Sequence, residues 1–295
     1  GNVTGGITTS QITVGDSFIK SGAVGLGVTD TTGRNAGVST ATGTLIYNST
    51  SGSIEVWTGS RWSLAGESFI EATGGIISDY ESSGTIYRAH IFSSSGTFNV
   101  TAAPLNSNTV EYLVVAGGGS GGAPAAGGGG AGGFRTNVVG ATQGGPSGTL
   151  DSAFPVSVQS YTVTIGGGGA STRNSNPGAT GSPSSFDSIT SAGGGYGAAY
   201  IASNQAGGTG GSGGGGAHNV GPGGAGTANQ GYPGGSGNTT GHSGKGGGGG
   251  GAGGAGTAGQ PDGVGPAGNG GAGQSSSITG VTTHYAGGGG GGVDC

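Results

Sequence analysis

The chain has 295 residues, enough for two domains, but only 30% are hydrophobic and 6% aromatic, so one large apolar core is excluded and small modules remain. Charged residues are 6%, against about a quarter in ordinary domains. The net charge is −5 and the seven Lys and Arg form no patch, which removes electrostatic nucleic-acid binding. The single cysteine, Cys295, is the last residue, so no intrachain disulfide can form. It is either a bystander thiol or a point of intermolecular attachment. No apolar run reaches the roughly 18 residues of a membrane span. No signal peptide is visible, and a start at Gly1 is expected of a processed product or a piece of a longer chain. Four N-x-S/T sequons, at Asn2, Asn48, Asn99 and Asn238, are explained as well by chance as by glycosylation.

Residues 1–28 alternate apolar and small polar residues between glycines and read as short strands of an extended connector. Residues 29–66 carry a sharper pattern. Leu45, Ile46 and Tyr47 make a strand, and Ile54, Val56 and Trp57 make its return. Trp62 and Leu64 open a third strand after a turn at 58–61. This meander is too small to stand alone and is expected to trimerise or dock. Its segment GTLIYN…GSIEVWTGSRW resembles one that recurs in bacteriophage tail-fibre and virion structural proteins.

Residues 69–115 form a second β run, with strands expected at 85–92, 96–100 and 110–115 and turns at 93–95 and 104–108. Arg88 and His90 fall on one parity of the first strand and read as a solvated face. At Ala116 the side chains nearly vanish: 66 of the 83 glycines follow Val115. Such a tract is disordered, collagen-like or a lattice. GGGGAGGF and HNVGPGGAG keep no Gly-X-Y period, which removes collagen. Disorder stays open on composition. The lattice alternative is polyglycine II, in which extended three-residue-per-turn helices bond laterally and close packing forbids a Cβ at inward positions. It is the reading carried forward: all-β small modules (1–67 and 68–115) followed by a polyglycine II domain (116–295), with essentially no α-helix.

The lead-in AHIFSSSGTFNV…VEYLVVAGGG, followed by GGGGAGGFRT, YTVTIGGGGA, SSFDSITSAGGG and SSSITGVTTHYAGGGGGG, resembles the glycine-rich domain of phage and prophage tail proteins over about residues 84–292. Those domains commonly close with a further apolar strand. Here the sequence given ends at Val293-Asp294-Cys295, so that strand is absent, removed or supplied by another chain.

The islands at 134–139, 161–165 and 186–189 read as strands that pin the lattice. Those at 173–176, 196–201, 218–220, 229–232, 238–242 and 283–285 read as turns at its ends. A loop set bearing Tyr, His and Asn suits sugar or outer-membrane loops, since these residues offer stacking and hydrogen bonds at modest entropy cost. The candidate receptor-binding residues are Tyr196, Tyr200, His218, Asn219, Tyr232, Asn238, His242 and His284, while Tyr285 is expected to pack. Solvated turns are the plain alternative for each.

No chemistry emerges. Around Lys245 a P-loop fails, because Thr239 stands for its first glycine and Gly246 for its Ser/Thr. His90, His218, His242 and His284 lack metal-ligand spacing, acids are too sparse for a glycosidase pair, and GxSxG is expected by chance. The expectation is a non-enzymatic protein without cofactor or metal. The first reading is a virion tail-fibre or tip adhesin, which engages a host surface glycan or outer-membrane protein and self-associates, as a trimer or higher, or joins other fibre proteins. The alternative is a structural subunit of an extracellular bacterial filament or surface layer, with strand donation between subunits. A flexible low-complexity matrix is the weakest reading.

Overall fold

The computed structural model describes residues 11–14, 17–20, 23–36, 41–65, 69–104, 108–172, 176–200, 205–219, 221–238, 244–261 and 265–293. The chain divides into two compact units, 1–71 with 102–108, and the remainder.

In the first unit β1 (Gln11–Val14), β2 (Ser17–Lys20) and β3 (Ala23–Gly25) form an antiparallel sheet. A four-stranded sheet follows, from β4 (Gly27–Thr29), β5 (Leu45–Asn48), β6 (Ser53–Trp57) and β7 (Trp62–Leu64) in that order. The expected meander is β5–β6–β7, and Trp57 opposes Trp62 with ring centroids 5.6 Å apart. One short helix, α1 (Thr31–Asn35), is capped by Asp30, whose carboxylate accepts from Gly33 N. The sheet's polarity is inverted. Asn48 and Glu55 are buried beside Ile46, whereas Val28, Tyr47 and Ile54, aligned across three strands, are exposed. The burial is tolerated because Glu55 is fully partnered: Arg34 Nη1 donates over 2.8 Å and Asn48 Nδ2 over 3.0 Å.

The second unit opens with a β run. Its strands are β8 (Glu71–Thr73), β9 (Ile76–Ser82), β10 (Thr85–Ile91), β11 (Gly96–Ala102), β12 (Thr109–Val110) and β13 (Leu113–Val115). Within the glycine-rich region stand β14 (Phe134–Thr136), β15 (Phe154–Pro155), β16 (Ser160–Thr164), β17 (Ser184–Phe186), β18 (Ile189–Ser191), β19 (Gln274–Ser276) and β20 (Thr283–Tyr285). The three islands expected to return as strands do so: β16 and β17 join β11 in a five-stranded sheet of order β18-β17-β16-β11-β8, and β14 pairs with β13. The single strand expected at 110–115 is two, because the Tyr112 N–H turns aside to the Asn137 side chain over 2.7 Å. The partner of β10, strand β9, is one the residue pattern did not single out.

Phe98, Tyr161, Phe186, Phe154 and Tyr112 pack together in the sheet core, with Phe154 and Phe186 centroids 4.9 Å apart. His90, expected on a solvated face, meets Phe98 edge-on, and its Nδ1 lies 2.7 Å from Gly74 O. Among the described residues no helix is long and apolar enough to cross a membrane.

From Ala116 onward the glycine segments are extended but pair as no β-ladder does. Ala116, Gly119 and Gly122 donate to Gly133, Gly130 and Gly127, while Gly117, Ser120 and Ala123 donate to Ser182, Ala179 and Asn176. Each series advances by three residues, where a strand would advance by two. In 246–252 three interleaved series leave in three directions, to 286–292, to 213–216 and to 254–257. Close packing accompanies the bonding, since a Cβ on Gly214 would collide with the Tyr196 carbonyl oxygen and one on Gly237 with that of Ala217. Each lateral bond contributes about 1 kcal/mol net, and ordering each residue costs about 1–2 kcal/mol. The glycine segments therefore hover near balance, and the aromatic core at one end of them matters.

Candidate functional site

Segment directions decide which loops meet. Residues 192–198 run antiparallel to 127–133, 212–218 run parallel to 192–198, and 232–235 run parallel to 213–216. The turn at 122–127, Tyr200, His218 and Asn238 therefore share one end, far from the aromatic core.

At that end the Tyr200 and His218 rings lie with centroids 5.0 Å apart, inclined by 43°. His218 N donates to Ala125 O over 3.1 Å, and Gln205 Nε2 donates to Tyr200 O over 3.0 Å. Asn219 is exposed in the left-handed region at φ 69°, and its N–H donates to Asn238 O over 2.8 Å. Lys245 Nζ donates to Pro261 O and Gly265 O. A half-buried Tyr–His pair beside an exposed amide offers flat apolar faces with polar edges, a surface that stacks on a sugar ring and bonds its hydroxyls.

The eight candidate residues are divided by the fold. Tyr200, His218, Asn219 and Asn238 come together, although Asn238 is only 3% exposed and braces the site from within. His242 lies outside the described residues. Tyr196 and Tyr232 stand inside bonded segments and not in turns: Tyr196 O accepts from Gly208, and Tyr232 both donates to Gly251 and accepts from Gly213. His284 is exposed on β20 opposite Ser275. It lies before the segment 286–292, whose far end bonds Ala126. At about 3.1 Å per residue, that puts it roughly 20 Å from the Tyr200 cluster.

Sequence reasoning passed over Ala125 and Gln205, which hold the cluster through bonds to His218 N and Tyr200 O. Ala-Pro-Ala-Ala at 123–126, interrupting a glycine run, is the signal that marks this turn.

Residues 93–294 match the family model described as "Glycine-rich domain". The chain belongs to this family. No curated protein and no solved structure matches it. The matched span of the glycine-rich domain begins just before β11, so it takes in the five-stranded sheet except β8, together with the lattice. Aromatic anchor and glycine segments thus form one family unit.

Proposed function

We propose that this protein is a non-enzymatic virion tail-fibre or tip adhesin, in which a polyglycine II lattice carries a receptor-binding end. The three-residue advance of the lateral bonds supports the polyglycine II reading, because a helix with three residues per turn presents one donor series to each of three neighbours. The observation that carries the function is the distal grouping of Tyr200, His218 and Asn219 at the end of closely packed glycine segments. The receptor is a host surface glycan or an outer-membrane protein loop, and the place of action is the virion tail.

The test is binding of the purified chain to host cells, compared between the unmodified protein and Tyr200→Ala. Retained folding with lost binding supports the reading, and unchanged binding removes this end as the receptor surface.

The second reading, a subunit of an extracellular bacterial filament, is favoured by the exposed apolar row Val28, Tyr47 and Ile54 in the first unit. Such a row is buried at low cost between subunits. Continuous filaments in negative-stain microscopy would favour it over the adhesin.

A further inference from the structure

At the Tyr200 end an alanine stands where glycine would be at ease. Ala125 occupies the left-handed region at φ 43°, which disfavours any Cβ, in a chain where 83 residues are glycine. It is 2% exposed, so its methyl faces other atoms of the protein. Opposite it lies Gly244, where a Cβ would stand 2.9 Å from the Ala125 methyl and 2.9 Å from His218 Cγ and Nδ1. Gly244 is bare because the imidazole lies over its backbone. His218 N donates to Ala125 O over 3.1 Å, which ties the same residue through its main chain. The Tyr200 ring stands beside the imidazole, with centroids 5.0 Å apart. The histidine is thus held by its Cγ–Nδ1 side, and its Nε2 side is turned away from Gly244.

What is held so closely does no work inside the fold. Among the described residues the Tyr200 hydroxyl, the His218 ring nitrogens and the Asn219 side-chain amide make no hydrogen bond. Tyr200 and His218 are half-buried, and Asn219, next in the chain, is exposed. Together these groups can both donate and accept, beside the faces of two rings. Positioned polar groups without partners belong to a binding surface and not to a core.

The described part of this end also offers no free charge. It contains no carboxylate. Lys245, whose carbonyl accepts from Asn238 N, is the one Lys or Arg after Arg173, and its ammonium is taken by Pro261 O and Gly265 O. Arg173 and Asp262 lie outside the described residues. An anionic ligand therefore finds no unused cation among the described residues. A protein loop asks for about 800 Å² of surface per partner and for apolar anchors. Val293, paired with Lys245, is the one exposed large apolar side chain described at this end. A sugar ring asks for less: an aromatic face under its C–H groups, and polar side chains that reach its hydroxyls.

We infer that the Tyr200 end recognises an uncharged saccharide. The sugar ring lies on the Tyr200 ring, and its hydroxyls bond to the Asn219 amide and to His218 Nε2. The inference rests on the adhesin reading and narrows its receptor to a neutral glycan. Ala125 and Gly244 are positioning residues, since they touch His218 and not the sugar.

The test is binding of the full chain to host cells that are untreated, oxidised with periodate or digested with protease, and to untreated cells in about 0.05 to 0.5 M NaCl. Periodate cleaves vicinal diols and is expected to abolish binding, while protease leaves it. The salt series is expected to change it by less than about twofold. Tyr200→Ala and Asn219→Gly each weaken the periodate-sensitive binding by about tenfold, and Arg173→Ala leaves it as it was. Ala125→Gly separates positioning from folding: glycine accepts the φ of 43°, so the melting temperature holds or rises, yet binding falls by about threefold or more as the imidazole loosens.

Loss after both treatments places the sugar on a protein and upholds the inference. Binding lost to protease but kept after periodate overturns it in favour of a protein loop. A tenfold fall across the salt series, or on Arg173→Ala, overturns it in favour of a charged ligand. Periodate-sensitive binding that survives both Tyr200→Ala and Asn219→Gly places the sugar elsewhere and overturns it too. Should Tyr200→Ala misfold, Asn219→Gly decides the site alone. An unmodified chain that binds no cells removes the adhesin reading and this inference with it, an outcome distinct from binding of the wrong kind.

Discussion

The Tyr112 hydroxyl donates to the Asp151 carboxylate over 2.8 Å, and Arg135 Nε donates to the same oxygen over 2.9 Å. Burial, and then the bond to Asp151, raise the tyrosine's pKa far above its ordinary 10.0. The Tyr112 carbonyl meanwhile accepts from Thr136 Oγ1 over 2.7 Å, tying β13 to β14 where the first glycine segments leave the sheet. This knot holds the root of the lattice.

Tyr112→Phe keeps the ring and removes the hydroxyl, and is expected to lower unfolding free energy by about 1–2 kcal/mol, measured by denaturant titration. The pH dependence has a definite sign. The folded pKa is raised, so the contribution is whole below pH 10.0 and is lost as pH rises above it, because the unfolded chain ionises there first. The variant is expected to show a flatter alkaline loss of stability.

Arg34→Ala strands the Glu55 carboxylate, whose side chain is 6% exposed. Arg34 is itself partly solvated, so the cost falls below that of a fully buried pair, at about 2 kcal/mol. Glu55→Gln with Arg34→Ala recovers part of the loss, because no buried charge is left unmatched. Thermal unfolding of the unmodified protein, the single variant and the double variant checks the order.

Gly214→Ala and Gly167→Ala make the same chemical change in opposite surroundings. At Gly214 the new methyl would meet the Tyr196 carbonyl, and a loss of about 3 kcal/mol or more is expected. At Gly167 nothing lies within 4 Å, and a gain of about 0.4–1 kcal/mol is expected. Denaturation midpoints of the two variants read this directly. Equal effects would mean that the segments do not pack as described.

Tyr200→Ala is expected to reduce host-cell binding by about tenfold with little change in melting temperature. Asn219→Gly is the cleaner companion, because glycine accepts the left-handed φ of 69° and only the amide is removed. His284→Ala, at the opposite end, is expected to bind as the unmodified chain does.

Much of the architecture is written in the side chains that remain once glycine takes over. Phe134, Tyr161 and Phe186 are apolar residues stranded in a glycine tract, and each becomes part of a strand: Tyr161 and Phe186 by joining the aromatic cluster, Phe134 by becoming fully buried where β14 pairs with β13. The meander of β5–β7 was legible for the same reason, in alternation between turn residues. Its inverted polarity was not: Glu55 and Asn48 are buried through their bonds to α1, which alternation cannot foresee. The glycine tract is different: composition left disorder and a laterally bonded arrangement both open, and only in a packed arrangement must its peptides find partners in one another. Nor does the sequence determine which segments become neighbours, because glycines are interchangeable and carry no side chain to set register. Only the tertiary structure brings Tyr200 beside His218 and holds Tyr196 inside a segment. Strands β14, β16 and β17 return the chain to the sheets between glycine segments, long-range pairings that glycine itself cannot encode.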